Sequence, residues 1–387
     1  MTLPPLPPFE RSRVALRLTA AAALGRFELQ RCVHCSAVQY PPREACHRCL
    51  SVDLKWTLQS GSGQLIAESR LFHSHEPYFR RGVPWRVGLV RLDAGPTLVT
   101  HIYQSVTSAP AAVQVTARLD RAGQAALIAR PPGEDIAMTD DPNIREMGCD
   151  PRGLNVLITD ATTAVGESVV RGFIAAGARQ VWAGEPPGEK LKISGSQAIL
   201  ATPIDVRSTD SVKRAADAFG SSIDILVNNS RHDAGNSAGA AVSDEIAREQ
   251  MEVNYFGLMH LSQHFAPLMQ ARAASGMAAW VNLLTVYALC NLPTQPTFSA
   301  SMAAALSLSQ ALRARMRTAG LQVVNVFAGP IAPDSLARSV IAALRDGVED
   351  SYPGAVAQDV LARWLESPKV LERELAASLT ASNATAM

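Results

Sequence analysis

The C-terminal half of the chain alternates short apolar runs with longer segments that are rich in alanine and leucine and have helical periodicity. Uninterrupted apolar runs are typical of strands buried on both faces, and helical connections between them favour parallel pairing. The pattern therefore predicts a doubly wound parallel sheet. One helix is clearly marked, because Leu308, Leu312 and Met316 recur at four-residue spacing and Gly320 follows as a stop. The predicted strands contain residues 156–158, 180–183, 199–201, 223–227, 280–284 and 323–327.

A different pattern precedes this region. Short runs rich in β-branched residues, separated by turn residues such as those at 93–96, predict a small closed sheet with strands at 63–67, 85–92, 97–101 and 113–117. Upstream, the stretch from Val14 to Leu24 predicts a short amphipathic helix, with a role at a membrane surface as the alternative. Residues 131–152 combine proline, glycine and acidic residues with little periodicity, which predicts an exposed linker between two domains.

Composition agrees with a folded, two-domain protein. The chain has 387 residues, of which 47% are hydrophobic and 18% are charged, so a large core can form. The net charge of +1, with both signs interspersed, does not favour nucleic acid or an anionic membrane as a partner. No apolar run is long enough to span a bilayer, and the start of the chain lacks the features of a secretory signal. We therefore expect a cytoplasmic protein.

Four of the six cysteines, Cys32, Cys35, Cys46 and Cys49, have the spacing C-x2-C-x10-C-x2-C. Two such knuckles can each wrap around one side of a metal, and four thiolates complete a tetrahedral site that suits zinc. An iron site of rubredoxin type is the alternative, because the ligand set alone does not separate the two metals. Since no position is left for water, the metal is predicted to be structural and to contribute folding energy to a segment too short to make a core.

The N-terminal region resembles the DUF35 family, which pairs a rubredoxin-like zinc ribbon with an OB-fold. The resemblance covers about residues 9–130 and rests on an amphipathic helix, the words LQRCVHCSAVQYPPREACHRC and a strand series with LVRLDAGPTLVTHI. It implies a small partner of thiolase-like enzymes that act on acyl-CoA, with acyl-CoA itself as a further candidate ligand.

An OB-fold also admits a second interpretation, the binding of single-stranded nucleic acid in a basic groove with exposed aromatic rings. We favour a loop with packed aromatic side chains and solvated arginines, and hence no nucleic-acid partner. The residues in question are Tyr78, Phe79, Arg80, Arg81, Trp85 and Arg86.

Residues 153–386 resemble the short-chain dehydrogenase/reductase family in the words LITDATTAVG, DILVNNS, VNYFG, WVNLLTV and FSASM. The resemblance implies a Rossmann-type fold whose first strand–helix turn, T-G-x3-G-x-G in the family, binds the pyrophosphate of a dinucleotide. In this chain the turn runs from Thr159 to Gly166, and only the last glycine remains. Asp160 adds a carboxylate near two phosphates and Ala164 adds a methyl group where the cofactor lies close, so both oppose NAD binding.

Other cofactor positions match the family in part. Asp205 and Val206 correspond to its adenine-side contact, and Asn228 begins an N-N-A-G word whose second half is absent. With Gly166, these residues are predicted to form a vestigial cofactor site. Glu185, after the second strand, either hydrogen-bonds a ribose hydroxyl and so favours NAD over NADP, or is an ordinary surface glutamate.

The family uses an Asn, a Ser, a Tyr and a Lys for catalysis. Asn254 matches the first and Thr285 keeps a hydroxyl at the second, but Phe298 and Met302 stand at the Tyr and Lys positions. A phenyl ring has no proton to give, and a thioether has no charge that lowers a neighbouring pKa. No catalytic set is intact, so the domain is predicted to be a pseudoenzyme. Tyr287 is not expected to substitute, because no lysine lies near it in sequence.

These resemblances together suggest an accessory subunit in a hetero-oligomer. The zinc-ribbon half is predicted to hold a thiolase-like enzyme. The degenerate half is predicted to hold an active short-chain dehydrogenase through helices at about 254–270 and 301–318, since relatives assemble through the equivalent helices. Such a subunit links two consecutive steps of a β-oxidation-like route. The alternative is an NAD-dependent oxidoreductase that acts on a hydroxyacyl-CoA with an altered catalytic site.

Overall fold

The computed structural model describes residues 5–133, 140–193, 196–233 and 243–385. The chain divides into two compact units. The first comprises residues up to 149 together with 344–349, and the second comprises residues 150–343 together with those from 350 onwards. Within the described ranges, no helix is both long enough and apolar enough to cross a bilayer.

The first unit consists of a helix, a small antiparallel sheet and a closed barrel. The small sheet has the order β2-β1-β3. The helix packs Leu18 and Ala22 against the barrel core. The elements are α1 (Leu16–Ala23), β1 (Glu28–Cys32), β2 (Val38–Gln39), β3 (Leu54–Leu58), β4 (Ser62–Leu71), α2 (Pro77–Arg80), β5 (Trp85–Leu92), β6 (Thr97–Ile102), β7 (Ala111–Leu119) and β8 (Ala125–Arg130).

The barrel closes in the order β4-β5-β6-β8-β7, and β4 pairs with β7. All its pairs are antiparallel except β6 with β8. Alternate residues of the strands point inwards, so Leu65, Val90, Leu98 and Val113 are buried in one core. This arrangement confirms the predicted OB-type barrel.

The expectation of an exposed linker is wrong for its second half. Ile144 and Met147, in and beside a 3₁₀ turn at Arg145–Met147, are buried against the barrel core. Asp141 is buried too, and its carboxylate accepts a hydrogen bond from the backbone N–H of Gln104 at 2.9 Å. Apolar residues spaced for one turn of helix therefore tie this segment to the first unit, despite its polar composition. Residues 134–139 of the predicted linker lie outside the described residues.

The second unit is built on a seven-stranded sheet with the order β11-β10-β9-β12-β13-β14-β15, and every pair is parallel. Its elements are β9 (Asn155–Ile158), α3 (Ala164–Ala175), β10 (Gln180–Glu185), β11 (Ile199–Pro203), α4 (Thr209–Phe219), β12 (Ile225–Asn228), α5 (Asp244–Met251), α6 (Gly257–Ser275), β13 (Ala279–Thr285), α7 (Pro296–Arg317), β14 (Gln322–Ala328), α8 (Pro333–Asp346), β15 (Asp350–Ser351), α9 (Gly354–Glu366) and α10 (Pro368–Thr385).

Burial of the central strands explains their sequence. Every residue of β12 and β13 is buried, so these strands show unbroken apolar runs and not an alternation. The strand order reverses between β9 and β12, which places a crevice beyond the carboxyl ends of these two strands. The predicted Rossmann-type sheet is confirmed. In α7 the predicted apolar stripe is present, since Leu312 and Met316 are buried and Leu308 packs against the same core.

Candidate metal centre and nucleotide crevice

The four predicted metal ligands come together in the ribbon. The sulfurs of Cys32, Cys35, Cys46 and Cys49 all lie within 4.8 Å of one another. Cys32 Sγ lies 3.5 Å from Cys49 Sγ, and Cys35 Sγ lies 3.6 Å from Cys46 Sγ. Bonds of about 2.3 Å to a tetrahedral zinc separate sulfurs by about 3.8 Å, so a small adjustment accommodates the ion. The donor set fits zinc with four thiolates and no open position, which is typical of a structural site.

Each knuckle closes by the same backbone turn. The N–H of Ser36 donates to the carbonyl of Cys32 at 3.0 Å, and the N–H of Leu50 donates to that of Cys46 at 3.0 Å. Both residues are left-handed, with φ of 59° for Ser36 and 61° for Leu50. This uncommon conformation for non-glycine residues turns the chain back sharply, so that both cysteines of a knuckle face the same point.

At two of the four ligands, Cys32 and Cys46, backbone N–H groups favour the thiolate form that a metal requires. The backbone N–H groups of Arg48 and Cys49 point at Cys46 and lower its pKa to about 6. The N–H of Cys35 lowers the pKa of Cys32 in the same way.

The first turn of the Rossmann-type sheet keeps the contacts that join it to α3. It lacks two of the three glycines that let a pyrophosphate approach the backbone in the family. Thr163 caps α3, because its hydroxyl accepts a hydrogen bond from Gly166 N at 3.0 Å. A Cβ at Gly166 would meet the backbone oxygen of Asp160 at 2.2 Å, so only glycine allows this close approach of helix and turn. The Asp160 carboxylate accepts hydrogen bonds from Thr162 N at 3.0 Å and Thr162 Oγ1 at 2.8 Å. The turn thus encloses a carboxylate, whose charge opposes that of a pyrophosphate.

A hydrogen-bond network joins this turn to the end of β12. Thr159 Oγ1 accepts from the backbone N–H groups of Asn229 and Ser230, both at 3.0 Å, and bonds Asn228 Oδ1 at 3.3 Å. Asn229 Nδ2 donates to the carbonyl of Asp160 at 2.7 Å. Of the predicted cofactor residues, Gly166 and Asn228 therefore lie together at the crevice. The roles of Asn229 and Ser230 were not predicted, although their position directly after Asn228 was the available signal.

Asp205 and Glu185 belong to a separate part of the crevice, where a cavity of about 440 Å³ lies. Asp205 is held by Arg207, whose Nε lies 2.9 Å from Oδ1. Burial opposes the ionisation of Asp205, but the hydrogen bonds from Arg207 outweigh it and hold the pKa of the carboxyl below its usual value. Val206 is buried beneath Gly257.

Glu185 is engaged by its own loop. It accepts hydrogen bonds from Leu191 N and Lys190 Nζ, each at 2.9 Å, and both interactions lower its pKa. Both carboxylate oxygens thus have protein partners in the loop that follows β10, whichever of the two predicted roles Glu185 has.

Three of the four catalytic positions are apolar or already engaged: Phe298 and Met302 in α7, and Asn254. Phe298 and Met302 are 1% and 2% exposed and belong to the main core. Asn254 lies in a π-helical segment, Glu252–Phe256, between α5 and α6. Its Nδ2 donates to Ser301 Oγ at 2.8 Å, and its Oδ1 accepts from His232 N at 2.9 Å.

Thr285 and Tyr287 do not form a replacement relay. The hydroxyl of Thr285 is buried, and no hydrogen-bond partner for it occurs in the described part of the chain. The Tyr287 ring packs edge-on against Phe298, with centroids 6.4 Å apart. Burial raises the pKa of Tyr287, which moves the phenol further from neutral pH, whereas a catalytic acid needs the opposite shift.

In the barrel, the aromatic residues near 78–86 pack on one another, as predicted. Tyr78 and Trp85 are buried, and Trp85 Nε1 donates to the carbonyl of Phe79. Arg86 pairs with Glu68 and donates to the carbonyl of Val106 at 2.6 Å, so its guanidinium is used within the barrel.

Each of two regions matches a known family. The ChsH2 rubredoxin-like zinc ribbon domain matches residues 19–54, and the short chain dehydrogenase family matches residues 154–342.

Similar proteins include dehydrogenases. The probable galactose dehydrogenase GalD of Rhizobium meliloti (strain 1021) is 29% identical over 202 residues, which are 50% of this chain and 75% of that protein. Dehydrogenase/reductase SDR family member 7B of Rattus norvegicus is 30% identical over 198 residues, which are 46% of this chain and 58% of that protein. A probable enoyl-CoA hydratase alpha subunit of Thermomonospora curvata is 34% identical over 82 residues, 21% of this chain and 25% of that protein.

Among solved structures, a short chain dehydrogenase from Burkholderia cenocepacia J2315 in complex with NADP aligns with a TM-score of 0.54 and 28% identity. The alignment covers 58% of this chain and 98% of that one. With the sulfur cluster and the seven-stranded sheet, these matches identify both parts. The chain carries an N-terminal zinc ribbon domain of the ChsH2 type and, in its C-terminal half, a domain of the short-chain dehydrogenase family.

Proposed function

We propose that this protein is an accessory subunit of acyl-CoA metabolism that performs no hydride transfer itself. Its first unit holds a thiolase-like enzyme and its second holds an active short-chain dehydrogenase, which brings together the oxidation of a 3-hydroxyacyl-CoA and its thiolytic cleavage. The observation that carries the proposal is the burial of Phe298 and Met302, at 1% and 2% exposure, where the family places its proton donor and its cation. Groups that act as a unit leave little activity when two are missing.

The outer face of α7 supports a docking role for the second unit. Four of its exposed positions carry alanine: Ala300, Ala303, Ala311 and Ala314. Alanine loses no side-chain entropy on burial and lets another helix approach closely. The resemblance that implies helix-to-helix assembly points to this same helix.

The zinc ribbon supports a docking role for the first unit. Leu50, Val52 and Leu58 are 78%, 79% and 66% exposed, and Val33 is 46% exposed. Val33 N donates to the carbonyl of Asp53 at 3.0 Å, so the first knuckle lies beside the residues that follow the second. Large apolar side chains gathered on a small metal-held element are typical of a protein-binding surface.

The test uses the zinc-loaded full chain with the thiolase and the short-chain dehydrogenase of the same organism, each purified. Size-exclusion chromatography is expected to give a complex with each enzyme. The chain alone is expected to show no oxidation of hydroxyacyl-CoA with NAD⁺ or NADP⁺. Failure to bind either enzyme contradicts the proposal, as does turnover by the isolated chain at a rate typical of the family.

An NAD(P)-dependent oxidoreductase with an altered site is the second candidate. The dehydrogenase relatives and the cavity beside Asp205 favour it. Calorimetry with NAD⁺ and NADP⁺ separates the two, because the second candidate requires micromolar binding together with turnover.

A further inference from the structure

A cavity of about 530 Å³ lies in the first unit, where the zinc ribbon meets the turn between β5 and β6. This volume falls within the range of about 300–1,000 Å³ typical of small-molecule sites. Arg43, His47 and Arg48 line it, and no carboxylate is among the described residues of its lining. The ribbon cavity, defined by these residues and the turn at 94–97, is therefore a cationic pocket.

The two arginines are available to a ligand. Across the described ranges, neither Arg43 nor Arg48 forms an ion pair, and both are exposed. By contrast, Arg26, on the same ribbon, is paired with Glu28 at 2.7 Å. A guanidinium without a carboxylate partner presents its full set of donors to an anion.

Two buried glutamines hold the cationic wall in place. Gln30 and Gln39 are 4% and 2% exposed, and Gln39 Nε2 donates to Gln30 Oε1 at 2.9 Å. Gln30 accepts from Arg43 N at 2.8 Å and donates to the Arg43 carbonyl at 2.9 Å. Gln39 Oε1 accepts from His47 N at 3.0 Å and lies 3.2 Å from His47 Nδ1. The backbone at Arg43 and at His47, the neighbour of Arg48, is thus fixed before any ligand binds, which lowers the entropy lost on binding.

We propose that Arg43 and Arg48 bind the phosphate groups of a phosphorylated small molecule in the ribbon cavity. Two unpaired guanidiniums match the charge of a diphosphate or a phosphomonoester and can contact its oxygens bidentately. The volume leaves space for the rest of a nucleotide-sized molecule. Coenzyme A and adenine nucleotides share this chemistry; the choice of coenzyme A rests on the proposed function, whereas phosphate recognition does not.

A competing role for the arginines is to neutralise the metal centre. Zinc with four thiolates carries a net charge of −2, and Cys35 itself lines the cavity. If the arginines served only that centre, their loss would lower zinc affinity and would not affect a phosphate ligand selectively. Zinc content is therefore the readout that separates the two roles.

The experiment is calorimetry of the zinc-loaded full chain with coenzyme A, ADP and inorganic phosphate as probes. We expect coenzyme A or ADP to bind, and Arg43→Gln and Arg48→Gln each to weaken that binding about tenfold. Arg31→Gln is the matched control, since Arg31 is exposed on the same ribbon and does not line the cavity. Its affinity is expected to stay within about twofold of the unsubstituted chain. All three variants should keep one zinc per chain.

Preference for coenzyme A over ADP supports coenzyme A as the source. Equal affinities for coenzyme A and ADP support the phosphate site but not the choice of coenzyme A as the ligand. They say nothing about complex formation with the two enzymes. Three results overturn the proposal: no binding of any probe, equal affinities in all variants, or loss of zinc in parallel with loss of the ligand. Binding of a single-stranded oligonucleotide in place of coenzyme A and ADP also overturns it.

Discussion

At the scale of single residues, the four catalytic positions have separate fates. Phe298 and Met302 have become part of the apolar core, whereas Asn254 remains polar and bonds Ser301 and the backbone of His232. Its amide thus connects α7 to the chain after β12, which explains why a catalytic residue type persists without its partners. Thr285 does not have such a structural role, because its buried hydroxyl has no hydrogen-bond partner in the described structure. Retention of a residue type is therefore no sign of retained chemistry here.

The Thr285 hydroxyl has no hydrogen-bond partner among the described residues, whereas the Thr159 hydroxyl accepts two hydrogen bonds. Replacement of each threonine by valine should therefore affect the free energy of unfolding differently. Thr285→Val removes an unsatisfied hydroxyl and should leave the free energy of unfolding unchanged or raise it by up to about 1 kcal/mol. Thr159→Val leaves the N–H groups of Asn229 and Ser230 without their acceptor and should lower it by about 1–3 kcal/mol. Chemical denaturation with urea measures both. Marked destabilisation by Thr285→Val would show that the hydroxyl has a structural partner after all.

Removal of the Asp160 charge is predicted to strengthen the binding of NAD⁺. Asp160→Asn keeps an oxygen that can accept from Thr162 and removes the charge that faces a pyrophosphate. One such repulsion is worth about 1–3 kcal/mol at an effective dielectric constant of about 20–40, so affinity for NAD⁺ should rise at least about fivefold. Calorimetry measures the change. Asp210→Asn, an exposed change in α4, is the control, and equal affinities in the two variants would contradict the electrostatic argument.

At the scale of elements, the zinc ribbon depends on its metal more than the barrel does, although Leu29 of β1 is buried in the barrel core. The ribbon strands β2 and β3 have two and five residues, and β3 is not fully buried at any position. The barrel buries a continuous apolar cluster that includes Leu65, Val90 and Leu98. The two elements should therefore differ in their response to metal loss.

Loss of the metal is expected to unfold the ribbon selectively. Cys46→Ser removes a buried ligand, so zinc content should fall from one per chain towards zero. Amide exchange should then rise across residues 28–58 while the strands of the barrel remain protected. Cys290→Ser is the matched control, because Cys290 is buried far from the cluster in sequence and its Sγ donates to the Val286 carbonyl. Retained zinc in Cys46→Ser would show that three ligands suffice.

The elements also show what sequence can and cannot predict. Cysteine spacing located the metal ligands, and apolar periodicity located most strands of the barrel and of the parallel sheet, because each signal depends on residues close together in the chain. The three ribbon strands, β8 and β15 were not predicted. The segment around Ile144 and Met147 was missed, since its burial depends on a distant barrel surface. The Gln30 and Gln39 pair was missed for the same reason: two glutamines nine residues apart gain meaning only once β1 and β2 pair.

At the scale of the whole molecule, the proposed subunit presents a different type of surface on each unit. The ribbon exposes large apolar side chains, whereas α7 exposes small ones. Two enzymes that recognise different surfaces do not compete for one site. Each surface should therefore be removable without loss of the other, a separation that a single promiscuous patch does not allow.

This separability predicts the behaviour of a ternary complex. Ala303→Arg places a long charged side chain on the exposed face of α7 and should abolish binding of the dehydrogenase, while thiolase binding persists. Leu50→Gly should have the reverse effect. Because Leu50 is left-handed and 78% exposed, glycine relieves its backbone strain, so loss of thiolase binding would report lost contact and not unfolding. Ala218→Arg on α4 is the control for added charge. Light scattering after size-exclusion chromatography measures each complex, and loss of both enzymes in either single variant would mean that the two units do not act as independent docking sites.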